Sequence, residues 1–396
     1  MSRVFVTGMG IISAVGTTLA GNRSALRSGM SGIGLAPNLN SRYAGILPFG
    51  AIATATDEWR EQFRIADPGI TRTTLLALHA FSDAIKDAGL TGPALSDPRV
   101  ALVGATTVGG MCLTDELYRD TTRPCNGSPF LSSYDCASVH LFLQSHYRMN
   151  GLVTTINTAC SSSANAIQYG ARLIRNGLAT KAIVGGTDSL AKFTINGFNA
   201  LQILSPAVCR PFDRDRAGLN LGEGAAFLVL EGEGALTSKQ VYAELTGYCN
   251  TNDAFHPSAL SLQGDGPYLA MAGALQSAGL KPADIDYINT HGTATENNDE
   301  AESRAMRKLF DEVPRFTSTK SYTGHTLGAA GAIEAVYTIL SIRYQELYAS
   351  LNFDEPIPGP GLRPVQTYQT HSVRHAMSNS FGFGGNCTSI IFSNVN

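Results

Sequence analysis

The chain has 396 residues, 43% of them hydrophobic, 15% charged and 41 of them glycine, which excludes a disordered or fibrous protein and supplies enough apolar mass for a sizeable core. Its 29 basic and 32 acidic residues give a net charge of -3 without runs of either sign, so the sequence carries no nucleic-acid footprint and no polybasic membrane patch. No stretch reaches the ~18 apolar residues of a spanning helix, and seven cysteines without a CxxC pair read as reduced thiols. A cytoplasmic protein with neither nucleic acid nor membrane as partner is expected.

In chain order, the opening MSRVFVTGMGIISAVG is apolar, but Gly8, Gly10 and Gly16 interrupt it as a strand and turn would, not as a targeting segment. Strands are predicted at Arg3–Thr7, Val100–Gly104, Val153–Ile156, Ala182–Gly185, Ala226–Leu230, Ile285–Asn289, Phe316–Thr319 and Ser389–Phe392. Helices are predicted at Thr74–Ala88, Ser162–Arg175, Pro267–Ala278, Asp299–Leu309 and Ala329–Arg343. The alternation implies an α/β protein with mostly parallel sheet. DTTRPCNGSPFLSS, 120–133, has the texture of a long loop. EGEGALTSKQ, 231–240, breaks the pattern and divides the chain into an N-terminal part, 1–238, and a C-terminal part, 239–396.

The segment NTACSSSANAIQYG places Cys160 between a strand and a helix whose Ala164, Ile167, Ala171 and Ile174 form one apolar stripe. A thiol at that turn meets the positive end of a helix dipole and unpaired amides, which favour thiolate and can serve an oxyanion. A small packed residue at the same turn is an equally good reading of this segment taken alone. His291 in HGTAT and His325 in KSYTGHTLGAAG also follow strands, at the end of an α/β sheet where sites collect. Lys320, five residues before His325, is placed to hold a carboxylate. NSFGFGGNC, near the C-terminus, allows close backbone approach and inward N–H groups.

Taken together, TACSSS, HGTAT, KSYTGHTLGAAG and SFGFGG, with FVTGMGIISAVG and CRPFDRDRAGLNLGEGAA, resemble the β-ketoacyl-[acyl carrier protein] synthases of the elongating type I/II branch nearly end to end. The resemblance implies a thiolase-like fold, two similar βαβαβαββ halves in a five-layer αβαβα sandwich. It implies an acyltransferase that accepts an acyl group on Cys160 and condenses it with a malonyl carrier thioester, in fatty-acid or in polyene or polyketide synthesis. On this resemblance His291 and His325 bind and decarboxylate the malonyl group, with Lys320 and its partner Glu334 beside them. Phe383 is the gate whose amide joins that of Cys160 in the oxyanion hole, and Thr293 and Thr295 hold a phosphopantetheine arm. No metal and no cofactor of the chain's own is implied; phosphopantetheine arrives on an acyl carrier protein. A homodimer, or a heterodimer with a related synthase-like subunit, is expected.

Two positions depart from the family pattern. Asn386-Cys387 stands where Thr-Asn is usual, and that Asn often meets an aspartate corresponding to Asp253. Cys387 reads as a packed thiol rather than a second catalytic cysteine. Thr107, Val108 and Met111 resemble the acyl-channel wall, where Met111 would shorten the channel. Arg60, Arg64, Arg72, Arg119 and Arg123 form the densest basic region for an acidic carrier. The alternative from another class is a catalytically silent chain-length-factor subunit, which the intact Cys160 and histidines disfavour. A dinucleotide site at GMG lacks its third glycine, Ser13 occupying that place. The pair His371 and His375 has no third metal ligand in view.

Overall fold

The computed structural model describes residues 2–123, 127–236 and 240–395. Ten strands form one hydrogen-bonded sheet: β1 (Val4–Ser13), β2 (Val100–Ala105), β3 (Val153–Ile156), β4 (Lys181–Asp188), β5 (Gly224–Gly232), β6 (Ala243–Asn252), β7 (Tyr287–Asn289), β8 (Arg315–Thr317), β9 (His375–Phe381) and β10 (Asn386–Ser393). Their order is β8-β7-β9-β10-β6-β1-β5-β4-β2-β3. Read outward from the middle, each half repeats one order: first strand, fifth, fourth, second, third. The first two pairings are antiparallel and the last two parallel in both halves. Only a short antiparallel ladder, Phe5 to Glu244 and Val6 to Ala243, joins them.

Helices divide this sheet into layers. Helix α1 (Arg72–Asp87) and helix α2 (Ser138–Tyr147) cover the outer face of the first half. Helix α3 (Ser162–Arg175) lies centrally, followed along the chain by α4 (Lys192–Ala200). Helices α5 (Asp265–Ala278) and α6 (Glu296–Leu309) cover the outer face of the second half. Helix α7 (Ala330–Tyr344) is buried from Ala330 through Ile342, as a helix apolar all round must be. It shares one core with α3 and inward residues of both half-sheets, including Val6, Leu228, Ala376 and Ile390. The result is the expected five-layer, two-half α/β arrangement. The sheet expected to be mostly parallel is instead mixed: among the described residues five of its nine strand pairings are antiparallel, because the strands nearest the middle pair without a crossover helix between neighbours of like direction.

The glycines of GMG have a packing reason: a Cβ on Gly8 would lie 2.5 Å from the Ala84 carbonyl oxygen, and one on Gly10 2.0 Å from that of Ala80. They let α1 lie flat on β1, and no nucleotide loop is formed there. The first strand runs to Ser13, beyond the expected Thr7. Strands β6 and β9 were not expected, because AELTGYCNTN and HAMSNSF are too polar to alternate clearly; neighbouring strands on both sides supply their pairing. Strand β8 ends at Thr317, short of the expected Thr319, where the chain turns into the single helical turn Lys320–Thr323. The 120–133 segment is helical at its start, within Thr114–Thr121. Its residues 124–126, with Cys125, and the expected boundary at 238/239 lie outside the described residues.

Candidate active site

Cys160 sits between β3 and α3 on a tight turn that holds Ala159 at φ 54°, a left-handed conformation a non-glycine residue adopts only under constraint. The constraint is visible: the Ser162 hydroxyl donates to the Ala159 carbonyl at 2.5 Å and accepts from the Thr158 N–H at 2.8 Å. The thiol is 6% exposed. Burial pushes it up to about 11, while Lys320 and the amide N–H groups of Phe383 and Cys160 pull the other way. The thiolate expected from the helix position is thus outweighed by desolvation, and the resting group is a neutral thiol.

One ring nitrogen each of His291 and His325 lies with the Cys160 sulfur in a buried group whose atoms are all within 4.8 Å of one another. The His291 ring stands at 84° to that of His325, with centroids 5.4 Å apart. Burial and the Lys320 charge hold both rings well below the usual histidine value, so both are neutral. Hydrogen bonding then assigns their tautomers. His291 Nδ1 accepts from Lys320 Nζ at 3.2 Å and His325 Nδ1 accepts from the Leu327 N–H at 3.2 Å, leaving the proton on Nε2 in each ring. A metal-binding histidine uses the opposite arrangement, donating its second N–H outward. This trio therefore suits hydrogen-bond donation to an oxyanion better than metal ligation.

Lys320 is 2% exposed, against the exposed position an ordinary lysine takes. Its Nζ donates to Glu334 Oε1 and to the His291 carbonyl at 2.6 Å. Burial pushes Glu334 up to about 7 against the pull of Lys320.

Two cavities meet at Cys160. The first, of about 500 Å³, is lined by His291, His325, Thr293, Thr295 and Arg216 among others, and the two threonine hydroxyls hydrogen-bond at 2.9 Å. The second, of about 520 Å³, is lined by Thr107, Met111, Phe193, Gly197, Phe198 and Leu327. Phe383 stacks on Phe198 at 5.7 Å, and this pair borders both cavities. Val108, expected in the channel wall, is 1% exposed and packs in a core cluster instead of lining either cavity.

Comparison with known proteins agrees with this geometry. The β-ketoacyl synthase N-terminal domain matches residues 1–234, and the β-ketoacyl synthase C-terminal domain matches residues 242–354. The chain belongs to the β-ketoacyl synthase family. The 3-oxoacyl-[acyl-carrier-protein] synthase 2 of Vibrio cholerae is 32% identical over 99% of both chains, and that of Synechocystis sp. is 34% identical over 98% of this chain and 97% of its own. Among solved structures, the ishigamide ketosynthase/chain length factor superposes at a TM-score of 0.92 with 30% identity over the whole of both chains. A chain of the complex between the ketosynthase ApeO and its chain length factor ApeC from Xenorhabdus doucetiae superposes at 0.84 with 32% identity, covering 99% of this chain and 98% of that one.

In this β-ketoacyl synthase three buried carboxylates that sequence reasoning missed hold the site's loops. Asp188, at the end of β4, accepts from Thr106 Oγ1 and Thr107 Oγ1 at 2.6 Å and from the N–H groups of Thr107, Val108 and Gly328. It thereby ties the Thr106–Val108 segment to the turn after His325. Glu302, on α6, accepts from the N–H groups of His291 and Gly292 at 2.9 Å, and burial pushes it up to about 7. Asp299, one turn earlier, accepts from Phe212 and Ala294 N–H. The only sequence signal was two acids three apart on the helix after HGTAT, and Asp188 had none beyond following β4.

Arg72 turns inward onto the buried Glu223 at 2.7 Å and cannot dock a carrier. Arg60 donates to the carbonyls of Asp67, Pro68 and Ile70, and Arg119 pairs with Glu116. Cys387 is fully buried, its sulfur 3.4 Å from the Gly385 carbonyl oxygen. Asp253 meets the glycine loop through its backbone, its N–H donating to Gly385 at 2.8 Å, while its carboxylate accepts from Ser261 and Gly266. His371 is exposed in a loop and His375 pairs with Ser393 at 2.8 Å. Among the described residues, no helix is long and apolar enough to cross a membrane.

Proposed function

We propose that this chain is a condensing ketosynthase that loads an acyl group onto Cys160 and extends it by decarboxylative Claisen condensation with malonyl-acyl carrier protein, giving 3-oxoacyl-acyl carrier protein. The observation that carries the reading is the buried thiol grouped within 4.8 Å of two neutral histidines, each with its proton on Nε2. In the first step the Cys160 sulfur bonds to the acyl carbon of the carrier thioester, the old C–S bond breaks, and the thiol proton leaves with the carrier sulfur. The Cys160 and Phe383 amides face the tetrahedral oxyanion. In the second step the malonyl carboxylate departs as CO2 and its electron pair becomes an enolate, whose oxygen the two Nε2–H groups stabilise. That enolate carbon bonds to the acyl carbon and releases Cys160 as thiolate, which takes up a proton from solvent.

The phosphopantetheine arm of the carrier fits the first cavity, where Thr293 and Thr295 offer hydroxyls, and the acyl chain fits the apolar second cavity beside Met111. Arg64 and Arg123, exposed on the surface, are assigned to carrier docking. The protein works as a homodimer, or paired with a related subunit as the ketosynthase and chain length factor complex of Xenorhabdus doucetiae is. Such complexes among its structural neighbours also support a silent-subunit reading, against which the intact Cys160, His291 and His325 weigh. Intact-mass detection of an acyl adduct after incubation with acyl carrier thioesters separates the two. Cys160→Ala should lose the adduct and the condensation yet keep malonyl decarboxylation; no adduct on the unmodified protein would sink the ketosynthase reading.

A further inference from the structure

The two oxyanion donors named above belong to different halves of the molecule. The Cys160 amide sits on the turn before α3, and the Phe383 amide sits on the glycine loop between β9 and β10. These segments touch: a Cβ on Gly382 would lie 2.8 Å from the Thr158 carbonyl oxygen and 3.1 Å from the Cys160 nitrogen. Contact alone does not hold a loop whose Gly384 and Gly385 have φ of 80° and 77°. The Asn386 side chain bridges the two segments, and two residues further on Thr388 Oγ1 donates to Asn165 Oδ1 at 2.9 Å.

Asn386 Oδ1 accepts from the Ser161 hydroxyl at 2.7 Å, from Asn165 Nδ2 at 2.8 Å and from Asn250 Nδ2 at 2.7 Å. Ser161 adjoins the nucleophile, Asn165 is in the first turn of α3, and Asn250 is on β6 of the other half. Donors from the N-terminal turn of α3 and from β6 thus converge on one oxygen three residues after Phe383, with Thr388 Oγ1 a more distant fourth at 3.5 Å. The Thr158 carbonyl lies 2.8 Å from the same Ser161 hydroxyl, so its single proton is shared between the Asn386 and Thr158 oxygens. The neighbouring position offers no such tie, because Cys387 is sealed in a small apolar cluster and Asp253 meets the loop by backbone alone.

We infer that Asn386 is a positioning residue that sets the spacing between the Cys160 and Phe383 amides, and so controls oxyanion stabilisation without touching substrate. The inference rests on the ketosynthase reading and adds a residue to it. Removing the acceptor lets the glycine loop part from the nucleophile's turn, and one oxyanion donor lost or misplaced costs about 100-fold in rate.

The test compares the unmodified protein with Asn386→Leu, Asn386→Asp and Ser161→Ala. It measures single-turnover acylation of Cys160 by acyl carrier thioester and, separately, alkylation of the same thiol by iodoacetamide, which forms no tetrahedral oxyanion. Asn386→Leu should slow acylation at least tenfold at saturating carrier while alkylation stays within about twofold. Asn386→Asp, which keeps an acceptor oxygen, should restore acylation. Ser161→Ala, which loses one donor to the bridge and removes only a hydroxyl, should slow acylation in the same direction, and it decides the matter if Asn386→Leu does not fold. Acylation unchanged in Asn386→Leu, or in Ser161→Ala where that variant decides, or alkylation falling in step with acylation, or no recovery in Asn386→Asp, overturns this inference alone. No acylation in the unmodified protein overturns the functional reading and this inference with it.

Discussion

Burying the Lys320 ammonium between Glu334 and the backbone and ring of His291 places a full positive charge beside two imidazoles. A second cation in so dry a site is strongly disfavoured, so both rings stay neutral donors well below the ordinary histidine range. Because Lys320 lowers both values, removing its charge must raise them. In the Lys320→Met variant the acid limb of malonyl decarboxylation should move upward toward 6.5, the ordinary value, whereas the unmodified protein should hold its rate through that region. A pH–rate profile from pH 5 to 8 reads this directly, and superimposable acid limbs would refute it. The same variant strands Glu334, whose Oε2 has no hydrogen-bond partner among the described residues, and urea unfolding should show a loss of about 3 kcal/mol. The pairing of Lys320 with Glu334 was expected from the family pattern, but its consequence for two histidines follows from burial, which no motif encodes.

The segments around the candidate site are short and irregular, and two of them are held by carboxylates on neighbouring elements. HGTAT is pinned by Glu302 and Asp299 of α6, and the Thr106–Val108 segment, a wall of which only Thr107 lines the second cavity, by Asp188 of β4. Met111 opens a 3-10 turn just after that wall and faces the second cavity. With its backbone anchored, the turn should tolerate a smaller side chain without collapse. Met111→Ala should therefore lengthen the acyl chain accepted on Cys160 by about two carbons, each buried methylene contributing roughly 0.8 kcal/mol. A loading series of acyl carrier thioesters weighed by intact mass tests this; an unchanged optimum would show that another residue ends the channel. Turn and strand-end signals exposed the segments of the candidate site in the sequence. Their carboxylate anchors stayed hidden because each is defined by amides up to 140 residues away, as Asp188 is by Gly328.

Across the molecule, two half-sheets of the same strand order share one central core through α3 and α7. Their direct ladder is only two residue pairs long, so the central helices carry the union. Exposing the flanks of α7, buried almost throughout, would uncover apolar surface on both halves at once. Unfolding should accordingly be a single transition. The one tryptophan, Trp59, lies in the outer core of the first half, so its fluorescence reports that half while far-ultraviolet circular dichroism reports the whole. Coincident urea midpoints are expected, and two separated midpoints would show that the halves melt independently. This shared core also explains why Cys160 from one half meets His291, His325 and Phe383 from the other.

Much of this protein was open to reading before any coordinates. Apolar periodicity set the α/β class, the punctuation around TACSSS, HGTAT and KSYTGH put Cys160 and the histidines at strand ends, and their order along the chain pointed to one family. Those features are local, because each needs only a few residues to declare a turn or a helix face. What folding added is non-local. It turned the expected thiolate into a neutral thiol, sent Arg72 inward, paired the polar strands β6 and β9, and joined Ser161 to Asn386 across 225 positions. Burial and hydrogen-bond partners depend on which segments meet, and that is a property of the packed chain rather than of any stretch of it.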